Sequence, residues 1–367
     1  MGEILGIGVT HYPGLIVPDE HMGLLLTRTL ESGRVPAVLR DPTAWPEPMR
    51  REWSDDRGRH AAGEHRRRLV DAFRRVRKVL DDFQPDAVVI FGDDQYENFR
   101  EDMIPPFCVF AVSEMVSRPF ARKSRSSPDT NVWGEPAETI FRAHGHLAAA
   151  KHLTARLMDS GFDMAYAYTL RHDAGLAHAF INTLLFLDYD RQGFPYPLVP
   201  FHVNCYGSSI IRTRGGIAHL RSGQDAGQDP PGPSAARCFD VGAATARAFA
   251  ESPWRVALIA SSSWSHAFLT EKTGWIHCDI DSDRARLAEL RDGHLERWRQ
   301  LSAEQIEDAG QQELLNWVCL AGAMDKLGQR AEILDWVETY VFNSSKCFAL
   351  FPPAATPGHV PAQGGAA

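Results

Sequence analysis

Ile4-Leu5-Gly6-Ile7-Gly8-Val9, followed at once by Thr10-His11-Tyr12-Pro13-Gly14, is the stretch that decides the fold. The first six residues form an apolar run with β-branched members, and Pro13 and Gly14 stop it. The segment therefore predicts a buried strand, with His11 where the backbone leaves the sheet. In α/β sheets ligands gather outside the carboxyl ends of the strands. His11 thus stands either where chemistry is done or as a plain turn residue bonded to backbone.

The same logic extends along the chain. Residues 61–83 predict an amphipathic helix, and residues 86–91 a second buried strand that ends in Gly92-Asp93-Asp94-Gln95. Further strands are expected at 107–112, 163–168 and 198–205, helices at 147–160 and 241–250, and an apolar helix or loop at 177–187. Residues 256–261 form another apolar strand, breaking into Ser262-Ser263-Trp264-Ser265-His266. Residues 284–342 read as mostly helical. The connection 15–58, with Pro36, Pro42, Pro46 and Pro48, has no clear period and suits a lid or pocket wall. Residues 117–140 read as a loop excursion, residues 223–234 as a surface loop, and the Gly, Ala and Pro-rich residues 354–367 as a disordered tail. The fold class is α/β, a mixed sheet with helices on both faces, in a single large domain over residues 1–353.

Composition narrows the function. With 367 residues, 44% hydrophobic and 23% charged, the chain can bury a large core. A net charge of -8 argues against nucleic acid as a partner, because phosphate binding rests on dense Lys and Arg. The Arg-rich run 66–77 carries Leu69, Val70, Phe73, Val76 and, just beyond it, Leu80 at helical spacing, which makes its arginines a solvated helix face. The six cysteines, Cys108, Cys205, Cys238, Cys278, Cys319 and Cys347, form no CxxC pair and suit free thiols in the cytoplasm. No apolar stretch reaches the roughly 20 residues of a membrane span.

Three strand ends deliver polar clusters, namely His11, Asp93 to Gln95, and Ser261 to His266. Convergence of strand ends on one rim is how an α/β fold builds an active site. No GxSxG elbow, P-loop or GxGxxG is present, and Ser265 beside His266 is no triad, since a catalytic base is placed by the fold. A mononuclear metal site fits better. Two neutral nitrogens and one carboxylate describe the facial triad of non-haem Fe(II) oxygenases.

Several short motifs then fall into a recognisable order: His11-Tyr12-Pro13; Gly92-Asp93-Asp94-Gln95-Tyr96-Glu97-Asn98-Phe99 with Ile104-Pro105-Pro106-Phe107; Val199-Pro200-Phe201-His202-Val203-Asn204; Ser262-Ser263-Trp264-Ser265-His266; and Gln312-Glu313-Leu314-Leu315-Asn316-Trp317. This series, over roughly residues 3–353, resembles the class III extradiol ring-cleavage dioxygenases, in particular the catalytic β-subunit type of protocatechuate 4,5-dioxygenase. The resemblance implies Fe(II) as cofactor, bound by His11 and Glu313. It implies His266 as acid/base toward a catechol-type or aminophenol-type ring, with O2 as the second substrate. Enzymes of that kind are commonly dimeric or work with a small helical subunit that this chain lacks, so the resemblance implies a homo-oligomer and leaves the need for an accessory subunit open.

One position departs from the pattern. The family's second histidine ligand falls here on Gln95, whose carbonyl is a weaker Fe(II) ligand than imidazole. The helix returning from the first strand to the second begins on the active-site rim and carries His60 and His65 in its opening turns. His65, nearer the apolar face shared with Leu69, is the expected second nitrogen ligand, with His60 in reserve or among the groups contacting substrate. Asp93, Asp94 and Gln95 would then orient a ligand or a substrate hydroxyl. His178 follows Asp173-Ala174-Gly175, where the family carries Asp-His-Gly, and is read as a second catalytic histidine contacting substrate or O2, or as an ordinary buried histidine. His202, between Phe201 and Val203, reads as structural, with a place in the site left open by its position near Asn204 and Tyr206. Two other functions stay open, a metal-dependent hydrolase and a non-catalytic binding protein on the same fold.

Overall fold

The computed structural model describes residues 2–121, 130–172, 175–207, 214 and 230–353. Strands β1 (Ile4–Val9), β2 (Ala87–Gly92), β3 (Phe107–Phe110), β6 (Ala165–Ala167), β7 (Leu198–Val203), β8 (Val256–Ser261), β9 (Glu332–Val337) and β10 (Lys346–Phe351) form one sheet, ordered β6-β3-β7-β2-β8-β1-β10-β9. Strands β4 (Glu114–Ser117) and β5 (Phe141–His144) pair separately as a small antiparallel ribbon. The central strands β7, β2, β8 and β1 run parallel, in register Gly92 to His202, Ala87 to Val256 and Val9 to Ser261. Their continuous apolar runs are what a parallel sheet covered on both faces requires. Because they are parallel, all of them deliver their carboxyl ends to one rim. Antiparallel β3 and β10 flank this block, which makes the sheet mixed, as expected.

The pleat divides the core. Val89, Phe91 and Leu258 pack with helices α2 (Leu147–Asp159), α4 (Ala235–Ala250) and α6 (Leu314–Leu327), while Leu5, Ile7, Val88 and Ile90 pack with α1 (Arg59–Phe83) and α3 (His178–Leu187). Helix α5 (Ile280–Asp292) joins the first of these layers through Leu287 and Leu290. The α1 arginines lie on its outer side as expected, several of them paired with Asp19, Asp335 and Asp190.

Glycine in β1 decides how closely α6 approaches. A Cβ at Gly8 would lie 2.0 Å from the Trp317 ring, and one at Gly6 would lie 2.3 Å from Met324 Sδ. Only hydrogen at these positions lets α6 rest directly on β1, and that contact sets Glu313 beside His11.

Several expected elements are corrected. The 284–342 stretch is not helical to its end, because β9 begins at Glu332 and β10 follows at Lys346. β9 is an edge strand with Glu332 and Asp335 on it and shows no clean apolar run, whereas β10 carries the apolar run Cys347 to Phe351 after its opening lysine and lies just past the stretch read as helical. The connection before α1 holds short helices Asp19–Met22, Leu24–Glu31 and Glu47–Trp53. The residues 117–140 are bracketed by β4 and β5. Residues 122–129, 223–229 and 354–367 lie outside the described residues.

Candidate metal centre

His11 sits just past β1 and is buried. Its Nδ1 lies 2.7 Å from the Ser261 carbonyl oxygen and 3.2 Å from Ser261 Oγ. A carbonyl only accepts, so Nδ1 carries the proton and the lone pair is on Nε2. That nitrogen faces Glu313 Oε2 at 3.4 Å and Asp93 Oδ1 at 3.9 Å. His266, beyond β8, repeats the arrangement: its Nδ1 donates to the Trp264 carbonyl oxygen at 3.1 Å, and its Nε2 lies 3.3 Å from the same Glu313 oxygen.

Glu313 immediately precedes α6, and its side chain is fully enclosed. Oε1 accepts from the Tyr206 hydroxyl and from Gln95 Nε2, the latter at 3.1 Å. Oε2 is buried and accepts no hydrogen bond among the described residues. A buried carboxylate oxygen in that state calls for an explanation. His11 Nε2 and Glu313 Oε2 are electron-pair donors 3.4 Å apart, and two donors each roughly 2 Å from one ion stand about 3–4 Å apart. This pair fits a divalent cation, with His266 Nε2 beside the same carboxylate oxygen.

Asp93, at the end of β2, accepts from Asn316 Nδ2 at 3.2 Å on Oδ1 and from Gln95 Nε2 at 3.4 Å on Oδ2. Asn316 lies three residues past Glu313, so the opening turn of α6 supplies both. The His178 ring stands edge-on to that of His11, with centroids 4.9 Å apart. One ligating atom from each of His11, Asp93 and His178 lies within 4.8 Å of the other two, a spacing compatible with one shared ion.

Burial is the chief influence on the charges here. It holds the His11 imidazole below its ordinary range against the opposing pull of Glu313 and Asp93, and takes His266 down to about 4. Burial and then the Asp93 charge push Glu313 upward, and burial pushes the Tyr206 phenol up as well. Both histidines thus stand neutral, the form in which imidazole binds a metal.

The structure brings together His11, Glu313, His266, Asp93, Gln95 and His178. It does not bring His65 to them. His65 is buried on the α1 face shared with Leu69, as expected, but that face passes under Tyr12 and Phe342, with ring centroids at 6.0 and 4.9 Å. Burial and the nearby Lys346 charge hold its imidazole well below the ordinary range. His60 is exposed on the first turn of α1, its backbone N–H bonded to Asp56. Asp94 accepts the backbone N–H groups of Glu97, Asn98 and Phe99, so it shapes the turn after β2. His202 is buried and packs its ring on Phe99, with centroids 4.5 Å apart. Asp173 and Ala174 lie outside the described residues.

Sequence reasoning assigned no role to Tyr206, Asn316 or Glu97. The available signal was helical spacing for Asn316 and proximity to a strand end for Tyr206. Glu97, two residues past Gln95, reaches His178 across a contact that only the fold creates.

Comparison with known proteins agrees with this geometry. Residues 228–348 match the family described as the catalytic LigB subunit of aromatic ring-opening dioxygenase. The chain is 28% identical over 235 residues to a 2,3-dihydroxyphenylpropionate/2,3-dihydroxicinnamic acid 1,2-dioxygenase of Comamonas testosteroni, covering 64% of this chain and 59% of that protein. A protein of the same name from Photorhabdus laumondii is 24% identical over 194 residues, 53% of this chain and 47% of the relative. For the Paraburkholderia xenovorans protein of that name the figures are 26% over 282 residues, 70% and 80%. The chain thus spans about half the length of the first relatives it matches. Residues 228–348 thus resemble the catalytic subunit of aromatic ring-opening dioxygenases, and over longer stretches the chain is similar to the dioxygenases just named.

Proposed function

We propose that this protein is an Fe(II)-dependent extradiol dioxygenase that opens a small catechol-type or aminophenol-type aromatic ring with O2. The observation that carries the reading is Glu313 Oε2, buried without a hydrogen-bond partner among the described residues and faced by Nε2 of both His11 and His266. His11 and Glu313 would hold the ion. When bound, Fe(II) supplies a Lewis acid that lowers the pKa of a substrate hydroxyl and a place for ring and O2 to meet.

The chain's own residues do the rest. Tyr206 and Gln95 hold Glu313 Oε1, so that Oε2 keeps its direction toward the histidines. Asn316 and Gln95 fix Asp93 in the same way. His266 enters neutral, because burial places its pKa near 4, and its Nε2 lone pair can take the substrate hydroxyl proton. Once protonated in so dry a site it is a strong acid, suited to handing the proton back as the ring opens. His11, His266 and Glu313 are all buried, which keeps bulk water from these transfers.

The six cysteines are all free and buried, which supports a reducing, cytoplasmic setting. No helix among the described residues is long and apolar enough to cross a membrane. The functional unit is read as a homo-oligomer by analogy with related enzymes, to be checked by light scattering. Anaerobic loading with Fe(II), followed by oxygen uptake on a panel of catechols and aminophenols, tests the activity. Uptake with at least one member is expected; none, with one iron per chain bound, would defeat the reading.

A further inference from the structure

We infer that His178, oriented by Glu97, supplies the second imidazole of the metal site, beside His11 and Asp93, in place of a histidine at position 95. The inference rests on the metal-centre part of the proposed function and goes beyond it to this chain's own ligand set.

Gln95 is engaged as a donor. Its side-chain nitrogen donates toward Glu313 Oε1 at 3.1 Å, Tyr206 Oη at 3.3 Å and Asp93 Oδ2 at 3.4 Å. A group turned this way bridges two carboxylates and offers no nitrogen lone pair. The site therefore needs its second imidazole from elsewhere, and His65 lies against Tyr12 and Phe342.

His178 meets the requirement on three counts. It opens α3, and its ring stands edge-on to His11, so the two imidazoles share one space. Its ligating atom falls within 4.8 Å of those of His11 and Asp93, which none of His60, His65 or His202 does among the described residues. Its orientation is imposed: Glu97 accepts the His178 backbone N–H at 3.0 Å on Oε1 and the ring Nδ1–H at 3.1 Å on Oε2. Since a carboxylate only accepts, Nδ1 holds a proton and the lone pair of the neutral ring is on Nε2. A carboxylate fixing the tautomer of a ligating histidine is the usual outer support of a metal site, and raises the basicity of the ring. Glu97 is itself held, accepting the Gln95 backbone N–H at 3.3 Å. The turn that removed a histidine at 95 thus supplies the carboxylate that aims another.

Co(II) is the probe, added to the full chain under anaerobic conditions. Affinity is read by competition with a chromophoric chelator, and geometry by the visible absorption of the bound ion. We expect His178→Ala to lose at least 100-fold in affinity and to change the spectrum, Glu97→Gln to lose 10–100-fold, and His65→Ala to match the parent. Adding Gln95→His to His178→Ala is expected to regain most of the affinity. Pulsed EPR of the Cu(II)-loaded parent is expected to count two imidazoles, falling to one in His178→Ala. Parent-like affinity in Glu97→Gln, which keeps the imidazole and the fold, overturns the assignment. So does a count of two imidazoles retained in a folded His178→Ala. Metal held through His178 with no oxygen uptake on any ring would sink the dioxygenase reading alone, and uptake undiminished in His178→Ala would sink this one alone.

Discussion

Gln95 donates to Glu313 across 3.1 Å, joining the end of β2 to the start of α6 at the carboxylate that His11 and His266 face. A carboxylate held on one oxygen cannot swing away from its histidines. Gln95→Leu, of similar size and unable to donate, is expected to weaken Co(II) binding roughly 10–100-fold while leaving the melting temperature within a few degrees. Chelator competition and thermal melts check it.

The Tyr206 hydroxyl makes the second bond to Glu313 Oε1. Tyr206→Phe keeps the ring and removes the hydroxyl that donates to Glu313 and accepts from Gln95 Nε2, a loss of about 1.5–3 kcal/mol for the bond to the carboxylate. Denaturant unfolding of the metal-free protein should show that loss, and turnover should fall with little change in KM.

His266 is expected to act on protons without holding the ion. His266→Gln should lower kcat by about 10²–10⁴-fold yet retain stoichiometric iron. Loss of iron in a folded His266→Gln protein would instead make it a ligand.

Gly8 has no room for a side chain, since Trp317 fills the space 2.0 Å from where a Cβ would sit. Gly8→Val must push α6 off β1 and should cost about 1–3 kcal/mol, the range for overpacking a core. Because Glu313 precedes α6, metal affinity should fall with it. Trp317 fluorescence and Co(II) titration read the two effects.

Lys346 is fully buried, its ammonium bonded to the carbonyl oxygens of Phe342 and Ser344 and lying over the Tyr12 ring. Burial takes its pKa from 10.5 down to about 7. Between those values the unfolded chain binds a proton that the folded chain does not, so this group makes stability rise with pH there and weakens the fold below about 7. In Lys346→Met that contribution disappears. The difference in melting temperature between parent and variant should therefore change steadily from pH 7 to 9; a constant difference would contradict it.

Local pattern carried much of this architecture. β1, β2, β7 and β8 are visible as apolar runs because both faces of a parallel sheet are covered, and β8 is found with its true ends. β9 is not, since an edge strand with Glu332 and Asp335 lacks the expected pattern; β10 is visible in the apolar run Cys347 to Phe351 but is not among the expected strands. In the site, His11, His266 and Glu313 are marked by strand ends and by motif order. The choice between His65 and His178 could not be made that way. Periodicity puts His65 on the buried side of α1, but which neighbour covers that side depends on the path of residues 339–345. The pairing of His178 with Glu97 depends on where α3 begins over the turn after β2, a distance no local pattern encodes.

The seat of Trp317 against Gly8 bears on when the centre comes into being during synthesis. His11 is made about three hundred residues before Glu313, so their meeting closes a loop of that length. Metal capture then waits for Glu313, and an ion held there would clasp two segments far apart in the sequence. A nascent chain stopped before Glu313 is expected to retain no Co(II), whereas one carried through β10 should bind it.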